Sequence, residues 1–165
     1  YSRIQNLPMY VTDTTLALKN KFNIIYDSAY LLNIRGELAY QKDEKFKLLI
    51  GGNFYNYEMD HELKAWQLPI FDAYIDFMYN ISNKFIITAG VTGRSNIYAK
   101  LWENGEVVKK NINGYADVSL GFEYRYSKIL SAWLNINNLT TIKYYRWHNY
   151  PSYGFNLMAG VTYAF

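Results

Sequence analysis

Residues 153–165 of the chain are YGFNLMAGVTYAF, a stretch in which every second side chain from Phe155 to Phe165 is apolar. Asn156 and Thr162 lie in the opposite phase. Such alternation is typical of a β-strand that has one apolar face and one polar face. The stretch is also long enough to cross a bilayer as a tilted strand, which takes about 9 to 11 residues.

The same alternation recurs in six earlier segments, and no segment longer than a turn has helical periodicity. We therefore predict an all-β protein, built as an antiparallel up-and-down meander. The seven predicted strands are Tyr30–Gln41, Phe46–Tyr57, Asp72–Ile81, Phe85–Tyr98, Tyr115–Tyr126, Leu130–Asn138 and Tyr153–Phe165.

The connections between these strands alternate between two lengths. In a meander, every second connection lies at the same end of the sheet. Short turns at one end and long loops at the other are typical of outer-membrane β-barrels, whose short turns face the periplasm. The short turns are Lys42–Lys45, Ser82–Lys84 and Ser127–Ile129, and the long loops are Glu58–Phe71, Ala99–Gly114 and Leu139–Ser152.

Charged side chains occupy only one phase of the predicted strands. An Arg or Lys that faces lipid near the bilayer midplane costs about 2–4 kcal/mol, whereas a polar lumen accepts it. The uncharged phase therefore predicts a lipid-facing surface, and we expect an interior network of ion pairs and hydrogen bonds on the other face. That charged phase contains Arg35, Glu37, Lys47, Asp72, Asp76, Arg94, Asp117, Glu123 and Arg125.

A water-soluble sheet with its apolar phase turned inward has the same alternation, so alternation alone does not separate the two classes. Aromatic side chains at the strand ends favour a transmembrane β-barrel, because amphipathic rings suit the membrane–water interface. Beside the short turns and in the last three residues these are Tyr40, Phe46, Tyr79, Phe85, Tyr124, Tyr126, Tyr163 and Phe165.

Composition excludes several other classes of protein. A length of 165 residues suits a single domain. The chain has no cysteine, which rules out a disulfide framework or a thiolate site. Its 17 basic and 14 acidic residues give a net charge of +3, too small for a nucleic-acid-binding protein. No stretch approaches the roughly 18 consecutive apolar residues of a spanning helix.

The final 35 residues, SAWLNINNLTTIKYYRWHNYPSYGFNLMAGVTYAF, resemble the end of TonB-dependent outer-membrane receptors, especially the forms found in Bacteroidetes. The Asn-Leu pair at Asn138 and Leu139, the Tyr-rich stretch after it and the closing strand carry this resemblance. It implies a bacterial outer-membrane location, contact with outer-membrane lipid, and, in the full-length protein, a 22-stranded barrel with a plug domain and TonB as a partner. It also implies that the barrel-assembly machinery recognises the closing strand through Leu157, Val161, Tyr163 and Phe165.

The beginning of the chain is less regular. Residues 1–20 contain Pro8 and the polar run Thr12–Thr15, and we predict an irregular lead-in there, with residues 21–165 as the barrel region. Lys21–Ser28 is the best candidate for an eighth strand. Pairing it with Tyr153–Phe165 closes an eight-stranded barrel; otherwise the strands form a curved open sheet within a larger barrel.

The sequence contains little that points to catalysis. His61 and His148 are the only histidines, and both lie in predicted long loops. Glu58–Glu62 gathers oxygen and nitrogen atoms, but no second histidine lies at metal-ligand spacing, so we interpret it as a solvated loop. We predict no catalytic residue, no metal and no cofactor, and hence a protein that is not an enzyme.

Four aromatic residues in the last long loop are the candidate ligand contacts: Tyr144, Tyr145, Trp147 and Tyr150. They suit stacking on a sugar or a flat ligand, and equally an upper aromatic girdle. The leading functional hypothesis is import of a siderophore, cofactor or glycan by a receptor of which this chain is the C-terminal barrel part. A small complete barrel with a structural or adhesive role, and a lipid-acting barrel enzyme, are the alternatives.

Overall fold

The computed structural model describes residues 1–13, 21–103 and 105–164. Within these ranges no helix is long and apolar enough to span a membrane. The strands are β1 (Ser2–Thr12), β2 (Phe22–Lys42), β3 (Phe46–Met59), β4 (Phe71–Ile81), β5 (Phe85–Arg94), β6 (Ile97–Glu103), β7 (Glu106–Ile112), β8 (Tyr115–Arg125), β9 (Leu130–Asn137), β10 (Tyr145–Trp147), β11 (Tyr150–Pro151) and β12 (Asn156–Tyr163).

Eight of these strands form one antiparallel sheet in the order β1-β2-β3-β4-β5-β8-β9-β12. Each is paired to the previous main strand along the chain, which confirms the predicted all-β up-and-down meander. The short hairpins β6–β7 and β10–β11 are separate two-stranded sheets. Because β1 and β12 are the two edges, the described sheet is open. Of the two arrangements that the sequence left open, the described residues have the open sheet, and Lys21–Ser28 does not pair with β12.

The irregular lead-in predicted for residues 1–20 is also wrong for its described part. Ser2–Thr12 is strand β1, which pairs with the first half of β2 from Ser2 opposite Leu31 to Thr12 opposite Phe22. The register shifts between Ile4 and Leu7, and this bulge hides the alternation on which the prediction relied. Pro8 is tolerated because β1 is an edge strand, where a missing N–H breaks no ladder. Residues 14–20 lie outside the described residues.

Other boundaries differ from the prediction in informative ways. Strand β2 runs without interruption from Phe22 to Lys42, so the predicted strands Lys21–Ser28 and Tyr30–Gln41 are parts of one strand. Ala29 lies opposite Ile4 on one side and Met59 on the other, which holds this part of β2 between two strands. The long loop predicted at residues 99–114 contains most of the β6–β7 hairpin.

The strand register places the two sequence phases on opposite faces, because directly paired residues share a face. On the apolar face Ile75 lies between Ile50 and Val91, and Val91 lies in turn opposite Val118. On the other face a polar row crosses four strands in the order Arg35, Asn53, Asp72 and Arg94.

Side-chain crowding distinguishes the two faces. A Cβ atom added at Gly51 or Gly121 on the polar face would collide with the neighbouring side chains of Tyr74 and Thr88, respectively. A Cβ added at Gly36 on the apolar face would meet no atom within 4 Å. Side chains converge on the concave side of a curved sheet and spread apart on the convex side. The polar face is therefore the concave one, as in the wall of a barrel with a polar lumen.

The apolar face is uncovered. Leu38 is 62% exposed and Val161 is 71% exposed, although both belong to regular strands. At the short-turn end this face carries a belt of rings, in which Phe46 contacts Tyr40 and Phe77, and Phe85 lies 4.8 Å from Tyr124 between ring centroids. This is the position that the sequence predicts for an interfacial aromatic girdle.

Candidate functional site at the long-loop end of the sheet

Among the described residues, most of the buried apolar side chains lie at the long-loop end of the sheet, where the long connections meet β1 and β2. We call this region the loop assembly; it comprises the β1–β2 hairpin, residues 60–70, the β6–β7 hairpin and residues 138–155. Trp66 is 1% exposed and packs with Met9 and Val11 of β1, and among the described residues it is the largest fully buried side chain. The side chains of a barrel wall face lipid or lumen, so the protein's own core forms where its loops meet.

Asp27 anchors the first turn of residues 60–70. Its carboxylate is buried and accepts hydrogen bonds from the backbone N–H groups of Ser28, His61 and Glu62, at 2.8, 2.9 and 2.7 Å. The ring of His61 lies 2.9 Å from the same carboxylate. Burial alone would raise the pKa of Asp27, but these hydrogen bonds outweigh it and hold the pKa well below its usual range.

Glu62 links this segment to the β6–β7 hairpin. Its carboxylate accepts a hydrogen bond from the indole N–H of Trp66 at 2.7 Å and forms an ion pair with Lys100 at 2.7 Å. The backbone N–H of Gln67 donates to the carbonyl of Tyr98 at 2.8 Å. Residues 60–70 and β6 are thus joined by two separate sets of polar contacts.

Gln67 also connects β1 to the last long loop, residues 138–155. Its amide donates to the carbonyl of Tyr10 at 3.0 Å, and its side-chain oxygen accepts from the backbone N–H of His148 at 3.2 Å. Nδ1 of His148 lies 3.0 Å from Oγ1 of Thr12. The last loop therefore reaches from the β9–β12 edge of the sheet back to the β1–β2 hairpin and spans the concave side.

The four sequence-predicted aromatic residues of this loop have different surroundings. Tyr144 is 6% exposed, stacks on Tyr115 with a centroid distance of 3.8 Å, and donates its hydroxyl to Asp117 at 2.6 Å. Burial and this hydrogen bond both raise the pKa of Tyr144. Tyr145, Trp147 and Tyr150 are exposed. The structure therefore leaves three of the four available to a ligand, while Tyr144 holds the loop against the polar face.

Trp147 and Tyr150 belong to an aromatic cluster that also contains Tyr10 and Phe22. Phe22 stacks on Tyr150 at 5.0 Å between centroids and meets Tyr10 edge-on at 6.0 Å. The four rings line a shallow pocket of about 270 Å³. Tyr10 and Phe22 are not among the predicted site residues, because no local signal in the sequence connects them to a loop more than a hundred residues later.

A second hollow, of about 480 Å³, lies between β7 and the last loop. Its lining includes Lys110, Lys143 and Tyr145, all exposed, together with the amide side chains of Asn111 and Asn113. Two cationic groups and several hydrogen-bonding groups around one cavity suit an anionic ligand. This hollow and the aromatic cluster are the candidate ligand-binding surfaces.

Other predicted chemistry is local or has no counterpart in the described residues. Within residues 1–13, 21–103 and 105–164, no group of three or more His, Cys, Asp or Glu side chains is placed to hold a metal ion. Arg125 pairs with Glu123 at 2.9 Å, and Arg35 pairs with Glu37 at 3.3 Å. The network expected on the polar face is therefore divided into separate groups. One of them crosses a strand, because the Tyr74 hydroxyl of β4 donates to Glu37 of β2 over Gly51 of β3.

The fold is similar to that of several solved outer-membrane receptors. The pyoverdine receptor FpvA from Pseudomonas aeruginosa matches with a TM-score of 0.78 and 16% identity, over 99% of this chain and 26% of that chain. The ferric-catecholate import receptor Fiu from Escherichia coli matches with a TM-score of 0.72 and 14% identity, over 98% of this chain and 24% of that chain. The siderophore receptor PiuA from Acinetobacter baumannii gives 0.70 and 14%, over 98% and 25%.

No family model matches the sequence, and no curated protein is significantly similar to it. The chain spans about a quarter of the length of each of the three solved receptors. All three are transport receptors rather than enzymes. The predicted resemblance is therefore confirmed for the fold, whereas the Bacteroidetes form of it stays a prediction. The chain has the fold of a segment of the barrel wall of TonB-dependent outer-membrane receptors.

Proposed function

We propose that this chain forms part of the barrel wall of an outer-membrane TonB-dependent receptor that imports an iron–siderophore complex. The observation that carries the proposal is the uncovered apolar face, which continues from β2 to β12 while the strand charges lie on the opposite face. Contiguous apolar surface of this extent is rare on soluble monomers. In a bilayer the same surface is favourable.

The open sheet favours a larger barrel over a small complete one. Along an open edge in lipid, backbone N–H and C=O groups have no partner, at a cost of several kcal/mol each. In the described residues the second half of β2, from Leu32 to Lys42, pairs with β3 but has no partner on the β1 side. Further strands of a full receptor supply such a partner.

An anionic siderophore complex fits the hollow beside β7. Catecholate groups are anionic and aromatic, so the ammonium groups of Lys110 and Lys143 attract the charge and the ring of Tyr145 offers a stacking surface. Trp147 and Tyr150 of the aromatic cluster offer further rings on the same loop. In this role Tyr144 positions the loop, while Tyr145, Trp147 and Tyr150 contact the ligand. A glycan or an organic cofactor would use mainly the aromatic cluster.

The partners follow from the same proposal. The barrel-assembly machinery inserts the wall through the closing strand, with Leu157, Val161 and Tyr163 on the recognised face of β12. Phe165, the fourth residue of the predicted signal, lies outside the described residues. Outer-membrane lipid surrounds the apolar face. A plug domain fills the lumen of the full-length receptor, and TonB energises it.

Binding of ferric catecholates to the full-length receptor tests the proposal. We expect Lys110→Ala combined with Lys143→Ala to weaken binding about tenfold or more, since each cation contributes about 1 kcal/mol or more to an anionic ligand. Lys109→Ala is the matched control, because Lys109 is the neighbouring residue of β7 and lies over the ring of Tyr98 instead. Unchanged binding in the double variant, or binding of a neutral glycan in place of ferric catecholate, contradicts the siderophore proposal.

A further inference from the structure

The apolar face has a groove at its short-turn end. The groove has a volume of about 420 Å³ and is lined almost entirely by apolar atoms of β5, β8 and β9 together with the end of β4. Phe85, Phe122, Tyr124 and Leu134 form its walls, and all four are exposed. Ala132 lies between Tyr124 and the outer strand's Val161, and its small side chain leaves the depression.

Two cationic turns border this groove. The β4–β5 turn carries Lys84 directly before Phe85, and the β8–β9 turn carries Lys128. Both lysines are exposed. Neither turn contains an acidic residue. Ser82 and Asn83 precede Lys84 in the first turn, and Lys128 of the second turn is flanked by Tyr126, Ser127 and Ile129. The third short turn differs, because Asp43 and Glu44 balance the two lysines around them.

Both turns are held rigidly. Ser82 and Asn83 both have a left-handed backbone conformation, with φ angles of 53° and 58°, in the three-residue turn between the paired residues Ile81 and Phe85. The side chain of Asn80 donates to that of Asn83 at 2.9 Å. In the other turn, Ser127 Oγ accepts from the backbone N–H groups of Ile129 and Leu130. The carbonyl of Lys84 accepts from the N–H of Arg125 at 2.8 Å, which ties the two turns together.

We propose that this groove and its two lysines form a binding site for an anionic phospholipid of the inner leaflet. The acyl chain lies on the apolar floor among Phe85, Phe122 and Leu134, and the phosphate is held between Lys84 and Lys128. The rings of Phe85 and Tyr124 lie at the interfacial level, between the headgroup and the chain. The negative charge of the headgroup is attracted by the two lysines, which lie on neighbouring turns at the same end of the groove. The site rests on the proposed membrane function, because the groove is on the lipid-facing surface.

The test uses the full-length receptor in detergent, with phosphatidylglycerol and the zwitterionic phosphatidylcholine as probes and native mass spectrometry as the measurement. We expect wild-type receptor to retain phosphatidylglycerol preferentially. Lys84→Ala combined with Lys128→Ala should reduce this retention about tenfold or more, since each lysine near the headgroup is worth about 1 kcal/mol. The matched control is Lys42→Ala combined with Lys45→Ala at the neighbouring turn, which should leave retention unchanged.

A second variant tests the groove itself. Ala132→Phe fills the depression without changing the charge, so it should displace the acyl chain and reduce retention of phosphatidylglycerol. Glycerol phosphate, which has no acyl chain, should not be retained by the wild type or by any variant. The lipid site is wrong if the wild type and the Lys84→Ala/Lys128→Ala variant retain equal amounts of phosphatidylglycerol. It is also wrong if the Lys42→Ala/Lys45→Ala variant loses as much phosphatidylglycerol as the Lys84→Ala/Lys128→Ala variant does. If the receptor inserts into vesicles in all these cases, the proposed membrane function stands and only the lipid site fails. Failure of the wild type to insert contradicts the proposed function itself.

Discussion

Replacing Leu134 by arginine tests the assignment of the two faces at one pair of neighbouring residues. Leu134 lies in the middle of β9, opposite Phe122 on β8 and Ala159 on β12, on the exposed apolar face. Asn135 is the next residue and lies on the polar face, opposite Gly121 and Met158. The two positions therefore have the same depth and the same neighbouring strands, and differ in the face to which the side chain points.

The expected effects differ because lipid and lumen solvate a cation differently. Arginine on the lipid side near the midplane costs about 2–4 kcal/mol, whereas a polar lumen imposes little of this penalty. We expect Leu134→Arg to destabilise the folded receptor in vesicles by about 2–3 kcal/mol more than Asn135→Arg. This difference corresponds to about 30-fold to 150-fold in the folding equilibrium.

The assay is urea titration of the receptor in phospholipid vesicles, with Leu134→Ala as a control for the lost leucine side chain. Leu134→Ala should destabilise the receptor much less than Leu134→Arg does, because it removes side-chain volume without adding a charge. Equal destabilisation by Leu134→Arg and Asn135→Arg, or a larger effect at Asn135, would refute the assignment of the faces.

Four further predictions concern the loops and the end of the chain. Trp66→Ala should open the loop assembly, because truncation of a buried Trp typically costs about 3–5 kcal/mol. The measurement is hydrogen exchange, which should become faster in residues 60–70 and in β6. Exchange in strands β4 and β5 should not change. Asp27→Asn should release residues 60–64 to limited proteolysis far more than Asp60→Asn does, since Asp60 only pairs with an exposed arginine. In the wild type, the folded pKa of Asp27 is lowered, so its contribution to stability is fully present above the unfolded pKa of about 3.9 and is lost as the pH falls through the folded pKa. The folded pKa of His61 is raised, so its contribution to stability is fully present below the unfolded pKa of about 6.5 and is lost as the pH rises through the folded pKa. Phe165→Ala should reduce insertion in cells while refolding into detergent micelles stays near wild type, and normal insertion in cells would contradict its role in assembly.

The two faces of the strands were predictable because apolar and polar side chains alternate along each strand, so every second residue lies on the same face. Val91 and Thr92 show this in β5, and the register then aligns the same phase across neighbouring strands. Lipid on one side and a polar lumen on the other impose this pattern on every strand. The alternating short and long connections were predictable for the same reason, since they follow from where the alternation stops.

Strand β1 and the β6–β7 hairpin were not predictable in this way. The bulge between Ile4 and Leu7 breaks the alternation of β1, and Pro8 argues against a strand unless the edge position is known. In the hairpin, Lys109 and Lys110 are adjacent charges that indicate a solvated loop. In β6, Ile97 and Ala99 pack with Ile112 of β7, while Tyr98 and Trp102 pack against the cluster of buried residues around Trp66.

The candidate site depends on contacts between distant parts of the chain. The hydrogen bond between Gln67 and His148 joins residues 81 positions apart, and Thr12 and His148 are 136 positions apart. Each of these side chains is an ordinary polar loop residue in the sequence. Only the folding of the last loop across the concave side brings them together, so the aromatic cluster with Tyr10 and Phe22 could not be read from local patterns.

The most direct test of the central claim is the environment of successive side chains along β9 in the full-length receptor. Single nitroxide labels at residues 131–136, attached through introduced cysteines, report accessibility to oxygen, which concentrates in lipid, and to a water-soluble nickel complex. We expect maxima of oxygen accessibility at Ala132, Leu134 and Ile136, and relatively greater nickel accessibility at the intervening positions. Accessibility without a period of two, or with the two phases reversed, would contradict the claim that this chain is the wall of an outer-membrane barrel.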